Sequence, residues 1–142
     1  MMFFFVSSIH SQLAFIQLFF TICWCIRAGL VDGQCNGSFA LTCVNLELTN
    51  ADTLQADCGD GSGGIISSSL NLDVHVTNTN GVLHCNSYSG KFSLSCVGQE
   101  ISSSGLLSAS CLDFSGNLAG TSFDLNTCVS NIYGSLTWTC LS

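Results

Sequence analysis

Basic residues are almost missing from this chain: Arg27 and Lys91 are the whole complement, against nine acidic residues, for a net charge of −7. Beyond residue 33, Lys91 stands alone. Such a surface repels a polyanion and offers no Arg cluster to neutralise phosphates, so nucleic acid is excluded as a partner. Catalytic signatures are missing as well. The chain holds no G-x-S-x-G, H-E-x-x-H or phosphate-loop motif. It also lacks any C-x-x-C pair, and from residue 34 onward it has no helix-period segment of useful length. The polarity that remains is Ser, Thr, Asn and Gly, which hydrogen-bond in both directions without charge and suit uncharged polyhydroxyl ligands.

The N-terminal stretch differs from the rest. Phe3 to Val6 and Leu13 to Ile26 are apolar but broken by Ser, His, Gln and Thr, too short and interrupted for a comfortable membrane span. This reads as a secretory signal over 1–33, cleaved after Gly33 so that Gln34 begins a mature, extracellular chain with no membrane contact.

The mature chain is a duplication. Residues 37–89 (repeat 1) lie over 90–142 (repeat 2) without a gap, sharing G-x-F-x-L-x-C-V at Gly37 to Val44 and Gly90 to Val97. L-x-A-x-C follows at Leu54 to Cys58 and Leu107 to Cys111, then V-x-N-x-x-G-x-L at Val76 to Leu83 and Val129 to Leu136. A repeat of this length is a supersecondary unit that packs on its copy, so a functional site is expected twice.

Apolar residues alternate with period two, which predicts half-buried strands. Phe39, Leu41 and Cys43 are expected on one face, as are Leu54, Ala56 and Cys58, and Leu70, Leu72, Val74 and Val76. The same pattern recurs in repeat 2. Turn clusters fall at Asp60 to Gly64, Thr77 to Gly81, Ser102 to Gly105 and Asn131 to Gly134. The expectation is one all-β domain over 34–142, two pseudo-equivalent lobes joined around Asn86 to Ser89.

Ten cysteines become eight once Cys23 and Cys25 leave with the signal, an even number that in a secreted domain argues for disulfides rather than metal. Cys43 and Cys58 recur as Cys96 and Cys111, so each repeat most simply closes its own loop, worth about 3 kcal/mol per bridge. Cys35, Cys85, Cys128 and Cys140 allow three pairings. The positions of Cys35 and Cys140 at the two ends favour joining them, which leaves Cys85 with Cys128. Symmetry supplies a check: Cys85 aligns with Trp138 and Cys128 with His75, so if the first two touch, His75 should pack on Trp138. His75 is accordingly expected to be a packing residue.

Other motifs carry less. The run Gly59 to Gly64 looks superficially like a serine-protease nucleophile loop, but the spacing fails and the chain is too short to supply partners, so it reads as a flexible loop. Asp57, Asp60 and Asp73 lack the register and distal Glu of a calcium loop. Glu47 and Glu100 share a repeat position, are expected in strands, and sit in no context suggesting a raised pKa, which disfavours a glycosidase. The recurring turns at Asn78 and Asn131 are more promising. Each places an amide near hydroxyl-bearing strands, the convergence that sugar recognition requires.

Taken together, the G-x-F-x-x-[ST]-C runs at Gly37 to Cys43 and Gly90 to Cys96, the second cysteines Cys58 and Cys111, S-x-x-L at Ser69 and Ser122, and N-x-x-G-x-L at Asn78 and Asn131 resemble the cyanovirin-N homologue family. The resemblance spans 34–142 in both repeats and in the same order. It implies an all-β, pseudo-symmetric two-lobed fold, each lobe a triple-stranded sheet plus a β-hairpin, with short helical turns and strand-exchanged repeats. It further implies a lectin that binds mannose-type glycans, as free oligosaccharide or on glycoproteins, without metal, cofactor or catalysis, as a monomer or strand-swapped dimer. Carried over position by position, one site comprises Ser38, Thr42, Asp60, Asn131, Ile132 and Tyr133, and the other Thr77, Asn78, Asn80, Lys91, Ser95 and Asp113.

This chain departs from the family pattern at Asn80 and Tyr133, where an acid is usual, and at Leu41 and Leu94, where Gln or Glu is usual. The site around Asn78 keeps more hydrogen-bonding groups and is expected to be the stronger. The sequon Asn36-Gly37-Ser38 offers a glycosylation acceptor whose glycan would crowd the other site. The alternative reading is a secreted interaction or effector protein on the same scaffold with lost or altered sugar binding.

Overall fold

A computed structural model describes residues 37–86 and 90–139 of the chain. The expected signal 1–33, the sequon Asn36, the Cys35–Cys140 bridge and residues 87–89 of the expected joint lie outside that range.

Among the described residues, ten strands form two three-stranded sheets and two hairpins. Repeat 1 supplies β1 (Cys43–Thr49), β2 (Thr53–Gly59), β3 (Ile65–Asn71), β4 (Val76–Thr79) and β5 (Val82–Cys85). Repeat 2 supplies β6 (Cys96–Ile101), β7 (Leu106–Leu112), β8 (Leu118–Asp124), β9 (Val129–Ile132) and β10 (Ser135–Trp138). The sheets run β1-β2-β3 and β6-β7-β8, antiparallel throughout.

The hairpins change sides. In the first lobe β9–β10, from repeat 2, docks on β3, where the Leu136 amide donates to Ser68 Oγ at 2.9 Å. In the second lobe β4–β5, from repeat 1, docks on β8 through the equivalent bond from the Leu83 amide to Thr121 Oγ1, 3.2 Å. Neither repeat therefore completes a lobe alone. The two-lobed, strand-exchanged all-β fold is the one the resemblance implied.

The G-x-F motif earns its glycine by close approach rather than by flexibility. A Cβ on Gly37 would lie 1.8 Å from the Val129 carbonyl oxygen, and one on Gly90 would lie 1.8 Å from that of Val76. The same two glycines lead into single 3-10 turns at Phe39–Leu41 and Phe92–Leu94, which drive Phe39 and Phe92 into the core with no exposure.

Here the period-two expectation fails. A 3-10 turn advances three residues per turn, so Leu41 and Leu94, expected beside the Phe and Cys positions, face solvent instead. A third turn at Leu72–Val74 likewise ends β3, burying Leu72 and exposing Val74, where a continuous strand was expected. The fourth, Leu125–Thr127, repeats it in the second lobe.

The core is built from symmetry pairs. Phe39 and Phe92, Leu54 and Leu107, Leu72 and Leu125, and Val76 and Val129 are all fully buried, and among the described residues no polar or charged side chain is buried with them. Such pairs drive folding through removal of apolar surface, at about 1.5–3 kcal/mol for each large side chain.

Three bridges are formed among the described residues: Cys43–Cys58, Cys96–Cys111 and Cys85–Cys128. The first two close directly opposed positions on adjacent strands. The third ties repeat 1 to repeat 2. At its symmetry-related place His75 packs edge-on against Trp138, ring centroids 4.9 Å apart, as the alignment required.

Candidate functional site

The exposed ends of the two lobes are assembled by one recurring device. In the first lobe Asn131 Nδ2 donates both of its hydrogens, to Thr42 Oγ1 at 2.9 Å and to the Gly59 carbonyl at 2.8 Å. Its Oδ1 accepts from the Gly134 amide at 2.8 Å. In the second lobe Asn78 makes the equivalent bonds to Ser95 Oγ, the Leu112 carbonyl and the Gly81 amide. Each asparagine thus closes its own hairpin turn and clips that hairpin to the sheet. Both amide hydrogens are spent inside the protein, so the side chains expected to meet a sugar act here as braces.

An aspartate organises the neighbouring loop. Asp60 accepts from the Ser62 amide, the Ser62 hydroxyl and the Gly64 amide, each at 2.8 Å. These bonds, the Ser62 hydroxyl foremost, hold its carboxyl below the ordinary carboxylate value. Asp113 does the same for 113–117, accepting from the Asn117 and Ser115 amides at 2.8 Å, with Asn117 the main cause of its lowered pKa. The glycine run expected to be a flexible loop is therefore pinned by its own aspartate. Asp57 is engaged elsewhere, with Ser67 and Asn45, and Asp73 with Ser93, and no metal-holding cluster of acids, His or Cys occurs among the described residues.

From these parts the first lobe builds an open cleft of about 730 Å³. One wall is the glycine loop with Asp60, the other is the hairpin end with Ile132 and Tyr133, and Thr42 and Asn131 lie between them. Ile65 adds an apolar edge. A volume of this order is typical of small-molecule sites. Tyr133 is 83% exposed and has φ +51°, the left-handed region that a bulky side chain enters at a cost of about 1–2 kcal/mol. Its hairpin partner Gly134, at φ +88°, completes a two-residue turn with both central residues at positive φ.

In the second lobe the same two walls are joined. Asn80, which corresponds to Tyr133, accepts from the Phe114 amide at 2.9 Å, and Phe114 stands where the first lobe has Gly61. Leu112 and Asn117 replace Gly59 and Gly64.

Five of the six residues expected at the first site, Thr42, Asp60, Asn131, Ile132 and Tyr133, line one cleft. Ser38 instead bridges to Ser130 and lines a small hollow with Leu41, Ser104 and Asn126. At the second site Asn78 and Ser95 are bonded, Lys91 pairs with Thr77 through the backbone, and Asn80 and Asp113 border the strapped loop. Sequence reasoning missed Gly59, Gly61, Gly63, Gly64 and Ile65 as cleft residues. The signal was the asymmetry of the repeat itself: bulkier side chains stand at three of the four matching glycine positions.

A family model of the CVNH domain matches residues 39–137. Among solved structures, TbCVNH from T. borchii is 28% identical, covering 72% of this chain and 99% of its own, with a TM-score of 0.64. A microvirin–mannobiose complex is 22% identical over 72% of this chain and 98% of its own, TM-score 0.60. A variant of MoCVNH3 in complex with (N-GlcNAc)4 is 18% identical over 75% of this chain and 99% of its own, TM-score 0.66. None of the curated proteins compared matches this chain. By the span of the domain match and the repeat architecture that underlies it, this chain belongs to the CVNH domain family.

Proposed function

We propose that this protein is a secreted, non-enzymatic lectin that binds a neutral glycan of mannose or N-acetylglucosamine type through the first-lobe cleft, without metal. The observation that carries the reading is Tyr133: an exposed aromatic at a backbone position that disfavours it, facing a glycine-walled cleft of sugar-sized volume. An aromatic face packs on the apolar face of a sugar ring, while the backbone at Gly61 and Gly63, beside which a Cβ would meet open space, is left approachable for its hydroxyls. Strain kept at a surface position that Asn fills in the other lobe supports a ligand as its reason. Similarly folded proteins solved with mannobiose and with (N-GlcNAc)4 make both sugar types reasonable probes.

This reading reverses the ranking expected from hydrogen-bonding capacity. Of the groups credited to the second site, the Asn78 amide hydrogens and the Asn80 carbonyl are already bonded internally. Isothermal titration with α1-2-linked mannobiose and with chitobiose, with and without EDTA, tests the proposal. Binding at a stoichiometry of one, unchanged by chelator and lost in Tyr133→Ala, is expected. Absence of binding to either sugar, in a protein shown to be folded, refutes it. A second reading is favoured by one feature only: Phe114, 85% exposed at the strapped loop, suits contact with a protein partner rather than a sugar.

A further inference from the structure

The outer face of the β1-β2-β3 sheet carries a second, polar groove of about 390 Å³. Its floor is a bonded platform. Asp57 accepts from Ser67 Oγ and, at 2.9 Å, from Asn45 Nδ2, and these two bonds, that from Ser67 first, hold its carboxyl below the ordinary value. Asn45 reaches it because β1 bulges between Val44 and Glu47, with Asn45 at φ +54°. Around this platform stand Glu47, Gln55 and Ser69, whose side chains have no hydrogen-bond partner among the described residues. An amide, a carboxylate and a hydroxyl are thus left free to donate and accept.

Four of these residues, Asn45, Gln55, Asp57 and Ser67, are not required by the sheet, although Glu47 and Ser69 recur in the second lobe as Glu100 and Ser122. The second lobe has the same sheet, the same bulge and the same disulfide, yet carries Gly98 for Asn45, Ser108 for Gln55, Ser110 for Asp57 and Gly120 for Ser67. The asparagine, glutamine, aspartate and serine that set this groove apart therefore stand only on the lobe that holds the open cleft. They are also next to it. Gly59 pairs with Ile65 and both line the cleft, while Asp57 pairs with Ser67 and both line the groove, one pleat further along the same face. Two residues of strand separate the pairs, roughly 7 Å.

We infer that the first-lobe site is the end of an extended binding track, in which a neutral oligosaccharide longer than a disaccharide runs from the Tyr133 cleft over the Gly59–Ile65 pair onto the groove around Gln55 and Asp57. The inference rests on the proposed lectin function and adds to it the class of ligand: an internal stretch of a glycan chain rather than its terminal disaccharide alone. Gln55 bonds a sugar hydroxyl in both senses, and the fixed Asp57 and the free Glu47 accept from others.

The test titrates the full chain with disaccharide and tetrasaccharide of each series, mannobiose against α1-2-linked mannotetraose and chitobiose against chitotetraose. It does so for the native protein and for the double variant Gln55→Ser and Asp57→Ser. The substituted residues are those the second lobe already tolerates at these positions, and circular dichroism confirms the fold. In at least one series the tetrasaccharide should bind roughly tenfold tighter than the disaccharide, as two added hydrogen bonds would give. The double variant should lose that gain and keep its affinity for the disaccharide. Equal affinity for both lengths in both series overturns the track and leaves the lectin reading standing. A gain that survives in the double variant overturns it too, since the chain then extends elsewhere. Failure of every sugar to bind overturns the lectin reading and the track with it. As an independent readout, amide resonances of residues 55, 57 and 67 should shift with tetrasaccharide and stay unmoved by disaccharide.

Discussion

The two lobes share a backbone and differ in what hangs on it. Asn131 and Asn78 make the same three bonds, Asp60 and Asp113 pin equivalent loops, and the hairpins dock through equivalent hydroxyls. Yet glycines and Tyr133 leave the first lobe an open cleft, whereas Asn80 and Phe114 tie the second lobe's walls together. Duplication thus separates two kinds of residue that a single domain would confound. Those kept in both copies hold the fold, and those that differ are free to carry function. The paired asparagines, which look most like ligand residues in the sequence, fall in the first class.

The largest effect should come from the bridge that, among the described residues, has no symmetric twin. Cys85–Cys128 closes a separation of 43 residues, and its removal by Cys85→Ser with Cys128→Ser should cost about 4 kcal/mol in denaturant unfolding. Breaking its counterpart contact by Trp138→Leu should cost only about 1 kcal/mol, because an aromatic edge contact is weaker than a crosslink. Equal losses in the two experiments would mean that the bridge adds nothing beyond packing.

Next, Asn78→Ala and Asn131→Ala should each destabilise the protein by about 2–3 kcal/mol, the loss of three internal hydrogen bonds in either lobe. Loss of sugar binding with an unchanged unfolding midpoint would instead make Asn131 a direct contact. Two exchanges between the lobes sharpen the comparison further. Tyr133→Asn should abolish binding while raising stability by about 1 kcal/mol, since Asn accepts the left-handed backbone more readily. In the opposite direction, Asn80→Tyr with Phe114→Gly should untie the second lobe and raise the calorimetric stoichiometry from one toward two.

The smallest expected effect is on pH. Asp60 and Asp113 have pKa values depressed in the folded state, so they favour folding at any pH above their unfolded value of about 4 and lose that contribution as pH falls through the lower folded values. Sugar binding and loop amide protection should therefore hold from neutral pH to about 5 and decline only below about 4. Asp60→Asn should remove this acid limb in the first lobe and leave that of the second.

Much of the fold is legible in local pattern alone. Alternation placed Leu54, Ala56, Cys58 and their copies on the buried face, the repeat assigned Cys43 to Cys58 and Cys96 to Cys111, and the offset between copies foretold that His75 would meet Trp138. Alternation failed where 3-10 turns interrupt it, at Leu41, Leu94 and Val74, because a short run cannot reveal that the chain has changed period.

By itself the sequence determined composition, periodicity and duplication, and with them a two-lobed, disulfide-braced β fold. Which groups remain free was decided only by tertiary structure. An Asn amide reads the same in a string whether its hydrogens face solvent or a Thr hydroxyl and a carbonyl from the other repeat, as they do at Asn131. A glycine run reads as a loop until a hairpin from the far end of the chain is set opposite it to make a wall. Strand exchange joins residues 42–65 to residues 131–133, and a contact across that separation is a property of packing that no local pattern encodes.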